Sequence, residues 1–148
     1  MKLSKKQIIS LTKIIEPYLM VDSISNIIPL KSGMGRKKIV KKSWFLKCHF
    51  TNNPVMPGVL IQESILQTIV SILYSNKKFK NKICLIVSAH TNFFLKVNKN
   101  DMLKIYIKIT KLTKTKVEAS AIVYNANKNK IASGQYKYIT TYNLNAGK

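Results

Sequence analysis

Two segments of the chain carry the hydrophobic pattern of a helix. The first follows Ser4, a suitable N-cap, and ends before Pro17, so we predict an N-terminal helix within residues 1–16. Its apolar residues recur at helical spacing: Ile8, Leu11, Ile14 and Ile15. The second segment, residues 59–74, is apolar nearly all round and predicts a central helix over residues 58–76. A helix of this kind needs cover on several sides, so we expect it to be buried.

The stretch between these two helices favours a β-hairpin. Residues 19–28 are rich in β-branched side chains, and residues 37–45 form a second strand candidate. Residues 31–35 contain Gly33 and Gly35, so we predict a turn there that joins the two strands.

The second half of the chain predicts β-strands. Apolar and polar residues alternate over residues 103–110, which is typical of a strand with one buried face. Residues 83–87 are continuously apolar, as in a central strand. Two further strands follow at residues 117–124 and 131–142, and polar turns separate them. An antiparallel meander is the simplest connection.

These elements predict an α+β fold in a single domain, residues 1–148. A chain of 148 residues has about the length of one ordinary domain. Several antiparallel strands beside one helix that is apolar all round suggest a sheet wrapped around that helix.

The charge of the chain is strongly positive. Its 26 Lys and Arg residues outnumber 5 Asp and Glu, which gives a formal net charge of +21. Such a surface attracts polyanions, although AT-rich coding also produces chains rich in Lys, Asn and Ile whatever their function. Arg36 is the only arginine, and base recognition relies on the planar arginine fork. We therefore expect no nucleic-acid partner.

The cysteines and apolar runs indicate a cytoplasmic protein. Cys48 and Cys84 form neither a CxxC pair nor a zinc-ligand pattern, so we predict no disulfide and no metal site. Residues 1–13 lack the apolar run of an export signal. The apolar run at residues 59–74 is interrupted by polar side chains and is shorter than the roughly 20 residues of a membrane span, so we expect no membrane association.

One acidic residue stands out on the predicted central helix. Glu63 has Gln67 and Ser71 four and eight residues further on, so the three form a polar stripe on an apolar helix. The functional interpretation is a carboxyl group kept in its acid form by apolar surroundings and ready to donate a proton. The alternative is a helix start in water, where a glutamate complements the helix dipole.

The segment from His49 to Gln67 reads HFTNNPVMPGVLIQESILQ. It resembles the signature of FabZ-type 3-hydroxyacyl-[acyl carrier protein] dehydratases, in which the spacing from the histidine to the glutamate is the same. Residues 17–22, PYLMVD, are also similar to a strand entry of that family. Thr51 and Asn52 depart from the family's Pro-Gly. Cys48 departs from its usual Gly, and residues 14–15 from its His-Arg.

The resemblance implies a hotdog fold, which is a curved antiparallel sheet around a central helix, in a homodimer or a higher oligomer built from dimers. It implies dehydration of 3-hydroxyacyl thioesters to trans-2-enoyl thioesters in fatty-acid or polyketide-type and polyene-type biosynthesis. The substrate would arrive on the phosphopantetheine arm of an acidic acyl carrier protein, with no cofactor. A glutamate at position 63 is more similar to the dehydratase-only branch than to the dehydratase/isomerase branch.

The resemblance also implies roles for individual residues. His49 of one subunit would take the C2 proton, and Glu63 of the other would protonate the leaving hydroxyl, in a tunnel along the dimer interface. The amides of Gly58 and Val59, at the start of the central helix, are suited to bind the thioester oxygen.

Three further side chains have less specific roles. Gln67, with Ser64, would orient Glu63 or its water, although ordinary hydrogen bonding in the core explains both equally well. Tyr18 would line the mouth of the tunnel or simply pack there.

Three alternative functions stay open. One is a hotdog domain that binds acyl groups without converting them, a second is a hotdog thioesterase, and the third is a basic nucleic-acid binder.

If an acyl carrier protein is the partner, lysines beside the site would attract it, and Lys47, Lys96 and Lys99 are candidates.

Overall fold

The computed structural model describes residues 1–142 as two helices and one six-stranded sheet. The helices are α1 (Lys5–Thr12) and α2 (Gly58–Tyr74). The strands are β1 (Ser23–Ile28), β2 (Ser32–Lys38), β3 (Lys82–Phe93), β4 (Met102–Leu112), β5 (Lys116–Tyr124) and β6 (Lys130–Tyr142). Two short 3₁₀ turns, Trp44–Lys47 and Lys77–Phe79, flank the long helix.

The sheet is antiparallel throughout, and its strand order is β1-β2-β4-β5-β6-β3. Strands β1 and β3 lie at opposite edges, yet both contact α2. A flat sheet of six strands does not reach one helix from both edges, so the sheet curves around α2. The predicted α+β fold with a sheet wrapped around a helix is confirmed.

The core lies between α2 and the concave face of the sheet. Ile65, Ile69 and Ile72 of α2 are completely buried. On β4 the alternation holds as predicted, because Ile105 and Ile107 are buried while Tyr106 and Lys108 are exposed on the outer face. The prediction of a buried central helix is also confirmed. None of the helices described within residues 1–142 has the length and apolarity of a membrane span.

The predicted turn at residues 31–35 is wrong, because both of its glycines lie within β2. A Cβ atom on Gly35 would lie 2.4 Å from Oγ1 of Thr68, and one on Gly33 would lie 2.8 Å from Cδ1 of Ile72. Here glycine permits a close approach of strand and helix rather than a turn. The chain reverses earlier, where Leu30 adopts a φ of 57°. The hairpin of β1 and β2 is confirmed, but its second strand is Ser32–Lys38 rather than residues 37–45, because Trp44–Lys47 form a 3₁₀ turn.

The prediction that residues 83–87 form a central strand is also wrong. They belong to β3, which pairs with β6 alone among the described strands and leaves its other edge open. Leu85 and Val87 are 48% and 57% exposed. In a single chain this continuous apolar run therefore belongs to an edge strand whose apolar side chains are exposed to solvent.

Both helices are shorter than predicted. Helix α1 ends at Thr12, because Lys13 adopts a left-handed φ of 61° and closes the last turn through its N–H to the carbonyl of Ile9. Helix α2 begins at Gly58 as predicted but ends at Tyr74, where Ser75 caps the helix and a new turn begins at Asn76.

Candidate active site

Glu63 is held by a hydrogen bond from a neighbouring glutamine. Nε2 of Gln67, one helical turn further along α2, donates to Oε1 of Glu63 at 2.9 Å and to the carbonyl oxygen of Tyr18 at 2.9 Å. Oε1 of Gln67 accepts the N–H of Met20 at 2.7 Å. The buried amide of Gln67 thus joins the segment before β1 to the helix that carries Glu63, and it brings the predicted residues Tyr18, Glu63 and Gln67 together.

Glu63 lines a surface depression with a volume of about 240 Å³. Apart from Glu63 and Gln67, its lining is mainly aliphatic and aromatic, and includes Leu66, Val70 and Tyr138. The Tyr138 hydroxyl donates to the carbonyl oxygen of Leu66 at 3.2 Å. Burial raises the pKa of Tyr138 well above its ordinary value, and the nearby carboxylate of Glu63 acts in the same direction. This phenol therefore stays neutral.

Tyr18 lies at the rim of the same region and is half exposed. Desolvation raises the pKa of its phenol, and the charge and hydrogen bonding of Glu63 add to the shift. The tyrosine therefore keeps its proton and presents a neutral polar group beside the carboxyl group.

His49 is fixed by a tight loop that leads into α2. Its backbone carbonyl accepts the N–H of Val55 at 2.8 Å, and Nδ1 lies 3.1 Å from the carbonyl oxygen of Val55. Because a carbonyl only accepts, Nδ1 carries the proton in this hydrogen bond, which leaves Nε2 free to accept one. Phe50 and Asn53 exchange backbone hydrogen bonds across Thr51 and Asn52. The loop is thus a closed turn despite its departure from Pro-Gly.

A second depression, of about 340 Å³, contains His49. Gly58, Phe93, Phe94 and Lys96 are among its lining residues. A Cβ atom on Gly58 would lie 3.3 Å from the ring of Phe93, so glycine allows the start of α2 to approach that ring closely.

The start of α2 presents free backbone donors beside His49. The N–H groups of Leu60 and Ile61 both bond to the carbonyl of Pro57, which provides no side-chain cap. Within residues 1–142 the amides of Gly58 and Val59 have no acceptor, as expected for the first turn of a helix. The Val59 side chain is 71% exposed and lines neither depression, so only its backbone can serve the predicted purpose.

The two principal candidates do not share a depression within one chain. His49 lies with Gly58, near the end of β3, while Glu63 lies with Gln67, near the start of β3. Cys84 and Ile86 belong to the Glu63 depression, and Phe93 and Phe94 belong to the His49 depression. Among the described residues no cluster of three or more His, Cys, Asp or Glu side chains is placed to bind a metal ion.

Sequence reasoning missed Tyr74, Cys84 and Tyr138 in the Glu63 depression. For Tyr74 a signal existed, because it lies on the α2 face of Glu63 at helical spacing. The other two reach the depression through the pairing of β3 with β6, which no local pattern reveals.

Comparison with known proteins identifies the family of the chain. The model of the FabA-like domain matches residues 15–135. The chain belongs to the FabA-like family. It is 37% identical over 97 residues to a 3-hydroxyacyl-[acyl-carrier-protein] dehydratase FabZ of Clostridium botulinum strain Hall, a match that covers 65% of this chain and 67% of that protein. The resemblance to FabZ-type dehydratases is therefore confirmed, and the chain is a dehydratase of this type.

Solved structures show the same fold at much lower identity. The dehydratase heterocomplex ApeI:P of Xenorhabdus doucetiae matches with a TM-score of 0.76 and 10% identity, over 90% of each chain. A hypothetical thioesterase from Streptococcus pneumoniae TIGR4, solved with coenzyme A, matches with a TM-score of 0.65 and 12% identity, over 80% of this chain and 84% of that one. These similarities establish the hotdog fold.

Proposed function

We propose that the protein removes water from 3-hydroxyacyl thioesters of acyl carrier protein, at sites that combine His49 of one subunit with Glu63 of another. The observation that carries this proposal is the position of the two residues. They line separate depressions at opposite ends of one open edge strand, β3, whose first half is apolar. The substrate class comes from the curated relatives, which are 3-hydroxyacyl-[acyl-carrier-protein] dehydratases.

The open edge of β3 suits a second copy of the chain. A long exposed edge strand with apolar side chains is a template for strand pairing. If two copies of β3 pair antiparallel about a twofold axis near the middle of the strand, the start of one faces the end of the other. Cys84, in the Glu63 depression, then lies two or three residues along the strand from the partner's Phe93, in the His49 depression. The two half-sites become one, and each dimer contains two such sites.

The proposed reaction needs one base and one acid. Nε2 of His49 takes the proton from C2, and the electrons of the C2–H bond form the C2=C3 double bond. The C3–O bond breaks, and the leaving oxygen takes a proton from the Glu63 carboxyl group of the other subunit and departs as water. His49 then loses its proton to solvent and Glu63 regains one, so the net loss is one water molecule.

The backbone at the start of α2 would stabilise the charge on the thioester. As C2 loses its proton, negative charge moves to the thioester oxygen. The free N–H groups of Gly58 and Val59, at the positive end of a helix of 17 residues, are the donors available next to His49. Gly58 also leaves space for the substrate to approach the backbone.

The positive charge of the chain supports an acidic carrier as partner. Lys96 lies in the lining of the His49 depression, at the place where a thioester arm would enter. The other two candidates are also exposed, Lys47 in the 3₁₀ turn before His49 and Lys99 in the turn before β4. Lysines around the entrance would raise the rate of encounter with an acidic protein, most strongly at low salt.

The direct test is incubation with 3-hydroxyacyl thioesters on acyl carrier protein, followed by mass spectrometry of the acyl group. We expect loss of one water and a trans-2-enoyl product. Replacement of His49 by alanine or Glu63 by glutamine should lower kcat by about 100-fold to 10,000-fold, the usual contribution of one proton transfer. Release of a free acid would indicate a thioesterase instead, and tight binding without any product would indicate an acyl-binding protein.

A further inference from the structure

The groove beside Glu63 follows one face of α2. Glu63, Leu66, Gln67, Val70 and Tyr74 recur at helical spacing and all line the Glu63 depression. Since Glu63 and Tyr74 are eleven residues apart, the helix rise of 1.5 Å per residue places them about 16 Å from each other along the axis. Except for its acidic end the face is mainly apolar, so it fits an extended hydrocarbon chain.

Tyr74 is the last residue of α2 in this groove and is held in place by the backbone of β3. Its hydroxyl oxygen accepts the N–H of Cys84 at 3.0 Å. Burial raises the pKa of Tyr74 to about 12 and the pKa of Cys84 to about 11, so both side chains stay neutral. A neutral ring tied to a strand backbone makes a fixed wall.

A different environment begins on the other side of Tyr74. A cleft of about 820 Å³ lies between the ends of α1 and α2, and Tyr74 and Thr12 line both this cleft and the groove. The cleft has a basic lining, to which four lysines contribute: Lys13, Lys77, Lys80 and Lys82. The methyl end of a hydrocarbon chain gains no binding free energy among these lysines, whereas a carboxylate does.

We propose that Tyr74 is a specificity-determining residue that closes the acyl groove and limits the length of the acyl chain. This inference rests on the proposed function, and it specifies the length of the acyl chain in the substrate. Chains with up to roughly a dozen carbons beyond C3 fit between Glu63 and Tyr74, as the length of α2 over that span implies. Longer chains meet the ring. The hydrogen bond from the N–H of Cys84 to the hydroxyl oxygen of Tyr74 holds the ring in this position.

The test measures binding separately from catalysis. Saturated acyl-pantetheine thioesters of increasing length cannot be dehydrated, so calorimetry with them reports the groove alone. For the wild-type protein we expect affinity to rise by about three- to fourfold per carbon, the usual gain for a buried methylene, and then to stop rising near the predicted length. Tyr74→Ala should continue to gain affinity with longer chains. Tyr74→Phe, which keeps the ring but loses its tie, should show a less sharp limit.

The basic cleft supplies a second readout. In Tyr74→Ala, a long chain that ends in a carboxylate should bind at least tenfold more tightly than a chain of equal length that ends in a methyl group, and salt should reduce the difference. Tyr106→Ala, on the outer face of β4, is the matched control and should keep the wild-type limit.

The two proposals fail in different ways. An unchanged length limit in folded Tyr74→Ala, or wild-type affinity that rises steadily past the predicted length, overturns the role of Tyr74. Absence of enoyl product from every 3-hydroxyacyl substrate overturns the dehydratase proposal, while the same length limit in the binding series would still support the inference about Tyr74.

Discussion

Nε2 of Gln67 lies 2.9 Å from Oε1 of Glu63 and is buried on α2. The same amide bonds to the backbone of Tyr18 and Met20. One side chain therefore orients the candidate acid and fastens the segment before β1 to the helix. Replacement of Gln67 by leucine removes these hydrogen bonds and keeps a similar side-chain volume, so its effects do not come from a cavity in the core.

Gln67→Leu should lower kcat and also destabilise the fold. Loss of the amide leaves the Met20 N–H and the Tyr18 carbonyl without their partner, at a cost of about 1–3 kcal/mol for each buried group left unsatisfied. Glu63 also loses the hydrogen bond that it accepts from Nε2 of Gln67. Steady-state kinetics and chemical denaturation measure the two effects.

Gln62→Leu is the matched control for this prediction. Gln62 lies on the same helix and accepts a hydrogen bond from Thr91 at 2.7 Å, away from Glu63. Gln62→Leu should lower the free energy of unfolding but have a much smaller effect on kcat than Gln67→Leu. Equal losses of kcat in the two variants would contradict the role of Gln67 in orienting Glu63.

Two inactive variants should restore each other's activity if each site combines two subunits. His49→Ala and Glu63→Gln are each expected to be nearly inactive. In a mixed dimer, one of the two sites has an intact His49 and an intact Glu63, so unfolding and refolding the variants together should recover a substantial fraction of wild-type activity. Variants refolded separately and mixed without exchange are the control. If both residues act within one chain, no mixture gains activity.

A charge at the centre of β3 should separate the subunits. Val87 is 57% exposed near the middle of the strand, so in a symmetric pair two lysines at this position would face each other. Val87→Lys should shift the protein towards monomer in light scattering and lower the activity with it. Ile28→Lys, at the opposite edge of the sheet, should have no such effect. A Val87→Lys variant that remains fully dimeric would place the subunit interface elsewhere.

Reversing the charge of Lys96 should weaken recognition of the carrier protein more than catalysis. Lys96→Glu is expected to raise KM several-fold for a substrate on acyl carrier protein at low salt, because it replaces attraction by repulsion at the entrance. The KM for the same acyl group on free pantetheine should change little. Lys108→Glu, on the outer face of β4, controls for net charge. Equal effects of the two variants would remove Lys96 from the docking surface.

A methyl group at Gly35 should strain the contact between β2 and α2. Its Cβ atom would lie 2.4 Å from Oγ1 and 2.8 Å from Cγ2 of Thr68, so Gly35→Ala should cost about 1–3 kcal/mol of stability. Thr68→Ala removes both of these atoms. The double variant should therefore be more stable than the sum of the two single effects predicts, as measured by denaturant unfolding. Strict additivity would show that the two positions do not touch.

Parts of the fold and site could be read from local patterns. The alternation of β4 and the apolar run of α2 each reflect which faces of one element are buried, and this appears in the order of residues along the chain. The spacing from His49 to Glu63 likewise lies within one continuous segment. Local patterns failed at Gly33 and Gly35, where glycine serves a contact with a helix distant in sequence rather than a turn.

The sequence by itself determined the type of helix and strands, the family and the pair of candidate catalytic residues, because each of these is written in short segments. Only the tertiary structure decided that β3 is an open edge, that His49 and Glu63 lie in separate depressions, and that Tyr74 lies between the Glu63 groove and the basic cleft. Strand order and shared surfaces arise from pairings between distant residues, such as Ile86 with Tyr138. The energy of such pairings depends on the whole folded chain, so no single segment carries their signal.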